Sequence, residues 1–222
     1  MKNETFLENL DMIVKEITSS SDLEILYFKV NKPAPNSIID LTRERFFSGN
    51  NNSLLEFYRI CNGLQLIWSP KGNPNANMNF SPLLFLNRAV KFQGVINLLP
   101  VEIAFNPAQW KDTVWFEDDS DRIFYFIDGE WANNVIKKKL IPVDYFSVDM
   151  SMAVYPAANK NYILLLQDYH INYDDSYLTF WEDYLDFIIL TKGEVKKRYK
   201  AFNKLSGFKN PPLNYNQLLE NL

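Results

Sequence analysis

Residues Ser53 to Trp68 read SLLEFYRICNGLQLIW, a helix, a stop signal and a strand in one run. Ser53 with Glu56 three positions on is a capping-box pattern, in which each side chain accepts a backbone N–H that the first helical turn leaves unpaired. Leu54, Phe57, Tyr58 and Cys61 recur at spacings of three and four. That spacing puts them on one apolar stripe, with Glu56 and Arg59 on the other side. Asn62-Gly63 supplies residues that tolerate a left-handed backbone at a helix C-terminus, and Leu64 to Trp68 is apolar enough to continue as a buried strand.

Upstream, Thr5 and Glu8 form a second capping-box pattern, and Phe6, Leu10, Ile13 and Ile17 line one face of a first helix that ends in Ser19-Ser20-Ser21. Leu23 to Val30 reads as a strand. Pro33 and Pro35 break it before a second helix from Ser37 to Phe47, which Gly49 would close. Downstream, Ser69 to Pro82 is rich in Pro, Gly and Asn and reads as a long loop. Val95 to Leu99, Thr113 to Glu117, Arg122 to Ile127 and Tyr162 to Gln167 are dense in β-branched and aromatic residues, as short strands of an antiparallel meander would be. Asp118-Asp119-Ser120-Asp121 and Asp128-Gly129 are turn sequences between or beside them. A late helix begins at Thr179, with Glu182 as its reciprocal cap and Phe180, Tyr184, Phe187 and Ile188 facing inward. Gly193 interrupts it, and Val195 to Leu205 reads as a further helix whose Lys196, Lys197, Arg198 and Lys200 suggest a solvated basic face. Strands in the middle and helices at both ends predict an α+β fold, with one antiparallel or mixed sheet covered on one face by the terminal helices.

The central unit also resembles a known group. An aromatic pair on a helix that ends in Asn-Gly and runs into an apolar strand with a Trp, here Phe57-Tyr58, Asn62-Gly63 and Trp68, is similar to the SUKH superfamily, which includes a fungal regulator of cell-wall assembly and many bacterial immunity proteins that neutralise toxins. Thr179-Phe180-Trp181-Glu182-Asp183-Tyr184-Leu185 looks like that superfamily's late helix. The Leu-Pro that often precedes the first helix of such proteins is replaced by Asn50-Asn51-Asn52. The resemblance implies one SUKH-like domain over residues 1–222, with a core of about 36–190, an N-terminal helix-and-strand extension over 1–35 and a basic helical extension over 191–222. It further implies a non-enzymatic immunity protein in a bacterium, covering the active or substrate-binding site of a cognate toxin. A regulatory or scaffold module of the same fold, binding a house-keeping partner or a small ligand, is the alternative.

Composition narrows the classes. Of 222 residues, 47% are hydrophobic, 15% are aromatic and only seven are glycine, which describes a globular chain with a large core. The lone Cys61 sits on the buried stripe, so a reducing compartment is expected. No apolar run approaches the roughly 20 residues of a membrane span. Met1 to Leu10 lacks the apolar core of a signal peptide. The expected protein is soluble and cytoplasmic. Residues 191–222 carry seven Lys or Arg and two Glu, a net +5, whereas the preceding 190 residues carry sixteen basic and twenty-five acidic, a net −9. An acidic body disfavours direct nucleic-acid binding, which needs phosphates neutralised by Lys and Arg. It suits a basic protein partner, such as a toxin domain.

The chemical motifs are sparse. One His and one Cys cannot assemble the usual zinc sets. No Walker loop, G-x-G-x-x-G turn or G-x-S-x-G elbow occurs. Neither a catalytic residue, a metal site nor a cofactor is therefore assigned. Glu117, Asp118, Asp119 and Asp121 with His170 could in principle hold a cation or share a proton, but an exposed hairpin tip is the simpler account. Together with Trp115, and with Tyr169, Tyr173, Asp174 and Asp175 around a second acidic segment, they form the expected partner-binding surface. Aromatics there would bring contact area and carboxylates would steer a basic partner.

Overall fold

The computed structural model describes residues 3–48, 52–76, 78–82, 92–106, 125–127, 130–132, 141–147, 150–156, 161–167, 170–171, 177–178 and 181–205. The elements are α1 (Asn3–Ser19), β1 (Leu23–Val30), α2 (Asn36–Phe47), α3 (Ser53–Ile60), β2 (Leu64–Pro70), β3 (Gly94–Leu98), α4 (Val101–Ala104), β4 (Tyr125–Ile127), β5 (Glu130–Ala132), β6 (Ile141–Ser147), β7 (Met150–Pro156), β8 (Asn161–Gln167), β9 (His170–Ile171), β10 (Tyr177–Leu178), α5 (Trp181–Thr191) and α6 (Val195–Leu205). The class is α+β. The main sheet runs β1-β2-β3-β6-β7-β8-β10, with β9 also paired to β8, and β4-β5 forms a separate ribbon. Every strand pair among the described residues is antiparallel, so the mixed option does not arise there.

The apolar stripes of the sequence become the core. Phe6, Leu10, Ile13 and Ile17 of α1 are buried, as are Leu54, Leu55, Phe57 and Tyr58 of α3 and Trp181, Tyr184, Leu185, Phe187 and Ile188 of α5. Registers assign the faces of the sheet, because residues opposite one another in an antiparallel pair point the same way. Leu64, Leu66 and Trp68 lie opposite Leu98, Ile96 and Gly94 on one face, with Gln65 and Ile67 opposite Asn97 and Val95 on the other. The first face meets the end of α5, where the Trp68 indole donates to the Lys192 carbonyl at 3.1 Å. The second is lined by the turn-rich segment after β2. Gln65 donates to the Ser81 carbonyl at 3.0 Å and Asn97 to that of Pro82 at 2.9 Å, and Phe80 stacks on Tyr27.

Local details correct several sequence expectations. The cap of α3 is Asn52, whose side chain accepts from the Leu54 N–H at 2.9 Å, so Ser53 is the first helical residue and not the cap. Asn is as good a cap as Ser and its extended backbone comes one position earlier. Thr5 lies inside α1, which already spans Asn3. α2 ends at Ser48, the residue that takes the left-handed conformation (φ 51°) in place of the expected Gly49. α3 ends at Ile60 with an extended Cys61 as its cap, and the left-handed residue is Gly63 (φ 77°), two positions past that cap. β6 and β7 were not anticipated among the strands. Ile127 pairs with Glu130, and the expected Asp128-Gly129 turn lies outside the described residues. The Thr113–Glu117 strand and the Asp118–Asp121 turn lie outside the described residues.

Candidate functional site

Of the residues that carry the resemblance, Phe57, Tyr58, Trp181 and Tyr184 meet in one hub. Phe57 contacts Trp181 with ring centroids 5.5 Å apart, Trp181 contacts Tyr184 at the same distance, and Phe6 and Tyr58 each lie 6.0 Å from Phe57. Leu185 is buried beside them. Asn62 ties three chain segments together. Its Oδ1 accepts from the Val101 N–H at 2.9 Å, its Nδ2 donates to both oxygens of Glu102 at 2.9 and 3.1 Å, and its carbonyl accepts from Asn31 at 2.8 Å. The Tyr58 hydroxyl donates to the Leu99 carbonyl at 3.1 Å. Gly63 is required by space as well as by φ, because a Cβ there would lie 2.5 Å from the Leu98 oxygen. Phe180 lies outside the described residues.

Asn62 also positions Glu102 on the rim of an open surface groove between α2 and α4. Ile38, Phe46, Val101 and Phe105 give it an apolar floor, with Arg45 and the exposed Leu41 on its α2 wall. The Arg45 guanidinium stands 5.2 Å from the centre of the Phe46 ring.

A second centre, absent from the sequence reading, lies between α5, α6 and the sheet. Asp144 of β6 is opposite Leu98, so it points to the helical side, where Tyr184 donates to its Oδ2 at 2.7 Å and Arg198 at 2.6 Å. Arg198 also donates to the Val95 carbonyl at 2.8 Å and to the Tyr184 oxygen, and stacks 3.8 Å from the centre of the Phe146 ring. It is 1% exposed, which overturns its assignment to a solvated basic face; its neighbours Lys196, Lys197 and Lys200 are exposed as expected. Two signals could have found this centre. A carboxylate in the apolar run Ile141 to Phe146 needs a partner if the run is a buried strand, and Arg198 is three residues from Ala201 on the inward stripe of α6.

The ionisable groups of the hub are committed to internal partners. The Cys61 thiol donates to the Gly63 carbonyl at 3.2 Å, and burial pushes its pKa up to about 12, so it stays a thiol and not a nucleophile. Burial also pushes the Tyr58 and Tyr184 hydroxyls well above the usual tyrosine range. For Arg198, burial works against the charge, but Asp144 and Tyr184 outweigh it and hold the guanidinium protonated. Among the described residues no group of three or more His, Cys, Asp or Glu could hold a metal ion, and no helix is long and apolar enough to cross a membrane.

Of the expected partner-binding residues, Trp115, Glu117, Asp118, Asp119, Asp121, Tyr169, Tyr173, Asp174 and Asp175 lie outside the described residues. The backbone of His170 is placed in β9, opposite Gln167.

The chain matches no family model, no curated protein and no solved structure.

Proposed function

We propose that this chain is a non-enzymatic protein-binding module of SUKH type, an immunity protein that neutralises a cognate bacterial toxin in the cytoplasm by covering its active or substrate-binding site. The observation that carries the reading is the hub. Phe57 and Tyr58, which bear the resemblance in sequence, pack with Trp181 and Tyr184 of the late helix, Asn62 ties the turn before Gly63 to Val101, and Trp68 donates to the Lys192 carbonyl at the end of that late helix. The acidic balance of residues 1–190 supports a basic partner. The proposed contact surface comprises Trp115, Glu117, Asp118, Asp119, Asp121, Tyr169, His170, Tyr173, Asp174 and Asp175. No cofactor or metal enters this mechanism, since occlusion needs only shape and charge.

The test is capture on the immobilised full chain from lysate of the source organism, at low and at high salt, followed by binding and toxicity assays with the purified partner. The expected result is one basic, salt-sensitive protein whose toxicity is lost when this chain is co-expressed. A purified partner whose activity is untouched by saturating amounts of the chain would overturn the immunity reading. A regulatory module is the second reading. The apolar α2–α4 groove favours it, as a place for a small ligand or a partner's side chain.

A further inference from the structure

The main sheet is poorly stitched at one place. β2 and β3 pair over five residues and β7 and β8 over seven, but β3 and β6 pair only at Leu98 and Asp144, with one further backbone bond from Leu99 N–H to the Val143 carbonyl. Past that point side-chain bonds take the place of the ladder. The Asn97 N–H donates to the Asp144 carboxylate at 3.0 Å, the Asn97 side chain reaches the Tyr145 carbonyl at 2.6 Å, and the Val95 carbonyl is taken by Arg198. The turn between α5 and α6 fills the opened edge of β3. Val95 N–H donates to the Gly193 carbonyl and Val195 N–H to that of Gln93, while Gly94 bridges Glu194. Gly193 fits because it has no Cβ; one would lie 2.5 Å from Ile96 Cγ1.

We propose that this seam is a hinge between two half-sheets, β1-β2-β3 and β6-β7-β8-β10, and that α6 is the latch that holds it shut through Arg198. One guanidinium spans the gap, bonding Val95 on one half and Asp144 on the other. Such a bridge is fixed in direction, so it sets the angle between the halves, and without a full ladder it is this bridge and the shared core around Ile141, Val143, Tyr145 and Phe146 that resist their separation. A buried ion pair is a weak source of net stability, but separating its partners leaves each charge buried and uncompensated, and that penalty opposes opening of the seam. Arg198 is thus a positioning residue for the C-terminal half-sheet, and this role is independent of which partner the protein binds.

Native-state hydrogen exchange on the full-length chain in rising sub-denaturing guanidinium chloride tests it. In the wild type, amides of β7, β8 and Asn97 should merge into one opening that needs less denaturant than the opening of Leu66 and Ile67 in β2. Arg198→Met, which keeps the stem and removes the bridge, should speed exchange of the first set at least tenfold and lower the larger opening of Leu66 and Ile67 by the same amount, leaving the interval between the two openings unchanged, because the bridge is already broken in the first. A single opening shared by all these amides in the wild type would overturn the proposal, whether or not the variant folds. So would a variant in which the first set is not accelerated, or one in which only the larger opening falls and the interval between the two narrows.

Discussion

At the scale of single residues, two glycines with the same backbone bias make a controlled pair. Gly63 (φ 77°) and Gly72 (φ 81°) both sit where L-residues are strained, but a Cβ at Gly63 would strike the Leu98–Pro100 backbone, whereas at Gly72 nothing lies within 4 Å. Gly72→Ala should therefore cost only the conformational strain, about 1 kcal/mol, and Gly63→Ala about 2–4 kcal/mol. Chemical denaturation of the two variants checks this, and equal losses would mean that the crowding at Gly63 is relieved by movement. Cys61 gives a pH signature. Its folded-state pKa of about 12 exceeds the ordinary value near 9, so the stabilisation it supplies is complete below pH 9 and is lost as pH rises toward 12. Around pH 9 stability should begin to fall with a slope of about 0.7 kcal/mol per pH unit from Cys61, most of which Cys61→Ala should remove; Tyr58 and Tyr184, raised from an ordinary value of 10, steepen the fall as the pH approaches 10. The same burial predicts that a thiol reagent labels Cys61 only on unfolding.

At the scale of elements, caps and latch can be separated by substitution. Asn52→Ala should cost about 1 kcal/mol because it removes the side-chain acceptor for the Leu54 N–H, and Ser53→Ala much less, as read from denaturation midpoints. Arg198→Ala strands Asp144 as a buried charge without its cation and should cost about 3–5 kcal/mol, whereas Arg198→Met with Asp144→Leu removes both charges and should recover most of that loss. A double variant as unstable as Arg198→Ala would show that hydrogen bonds from Asp144 to Asn97 and Tyr184 dominate. These elements also mark what the sequence disclosed. Stripes at spacings of three and four identified the buried faces of α1, α3 and α5, since helix periodicity needs no tertiary information. β6 escaped because Pro142 and Asp144 interrupt its apolar run, and an Asp inside a strand becomes legible only once Arg198, 54 residues away, is known to meet it. The groove was equally hidden. Its walls come from residues 38–46 and 101–105, which no local pattern connects.

At the scale of the whole molecule, charge is the available lever. If association with a basic partner is steered by the acidic body, replacing Asp118, Asp119 and Asp121 together by Asn should lower the association rate several-fold at low ionic strength. The difference should shrink at 0.5 M salt, where the Debye length is below about 8 Å. The dissociation rate should change less. Stopped-flow measurement with the purified partner decides, and an unchanged association rate would assign the contact to another surface, with the α2–α4 groove the next to test through Leu41→Asp.

The bond from the Trp68 indole to the Lys192 carbonyl spans 124 positions of sequence, and that from Arg198 to Val95 spans 103. A ribosome delivers α1 to β3 well before α5 emerges, so the sheet face carrying Trp68 and Ile96 is made first and must wait for its cover. Loop closure over such distances is slow relative to local helix formation. During that interval the nascent chain exposes an apolar surface of the kind chaperones shield. A chain stalled before residue 190 would be left with that surface permanently open, so premature termination near the C-terminus should produce aggregation rather than a smaller working protein.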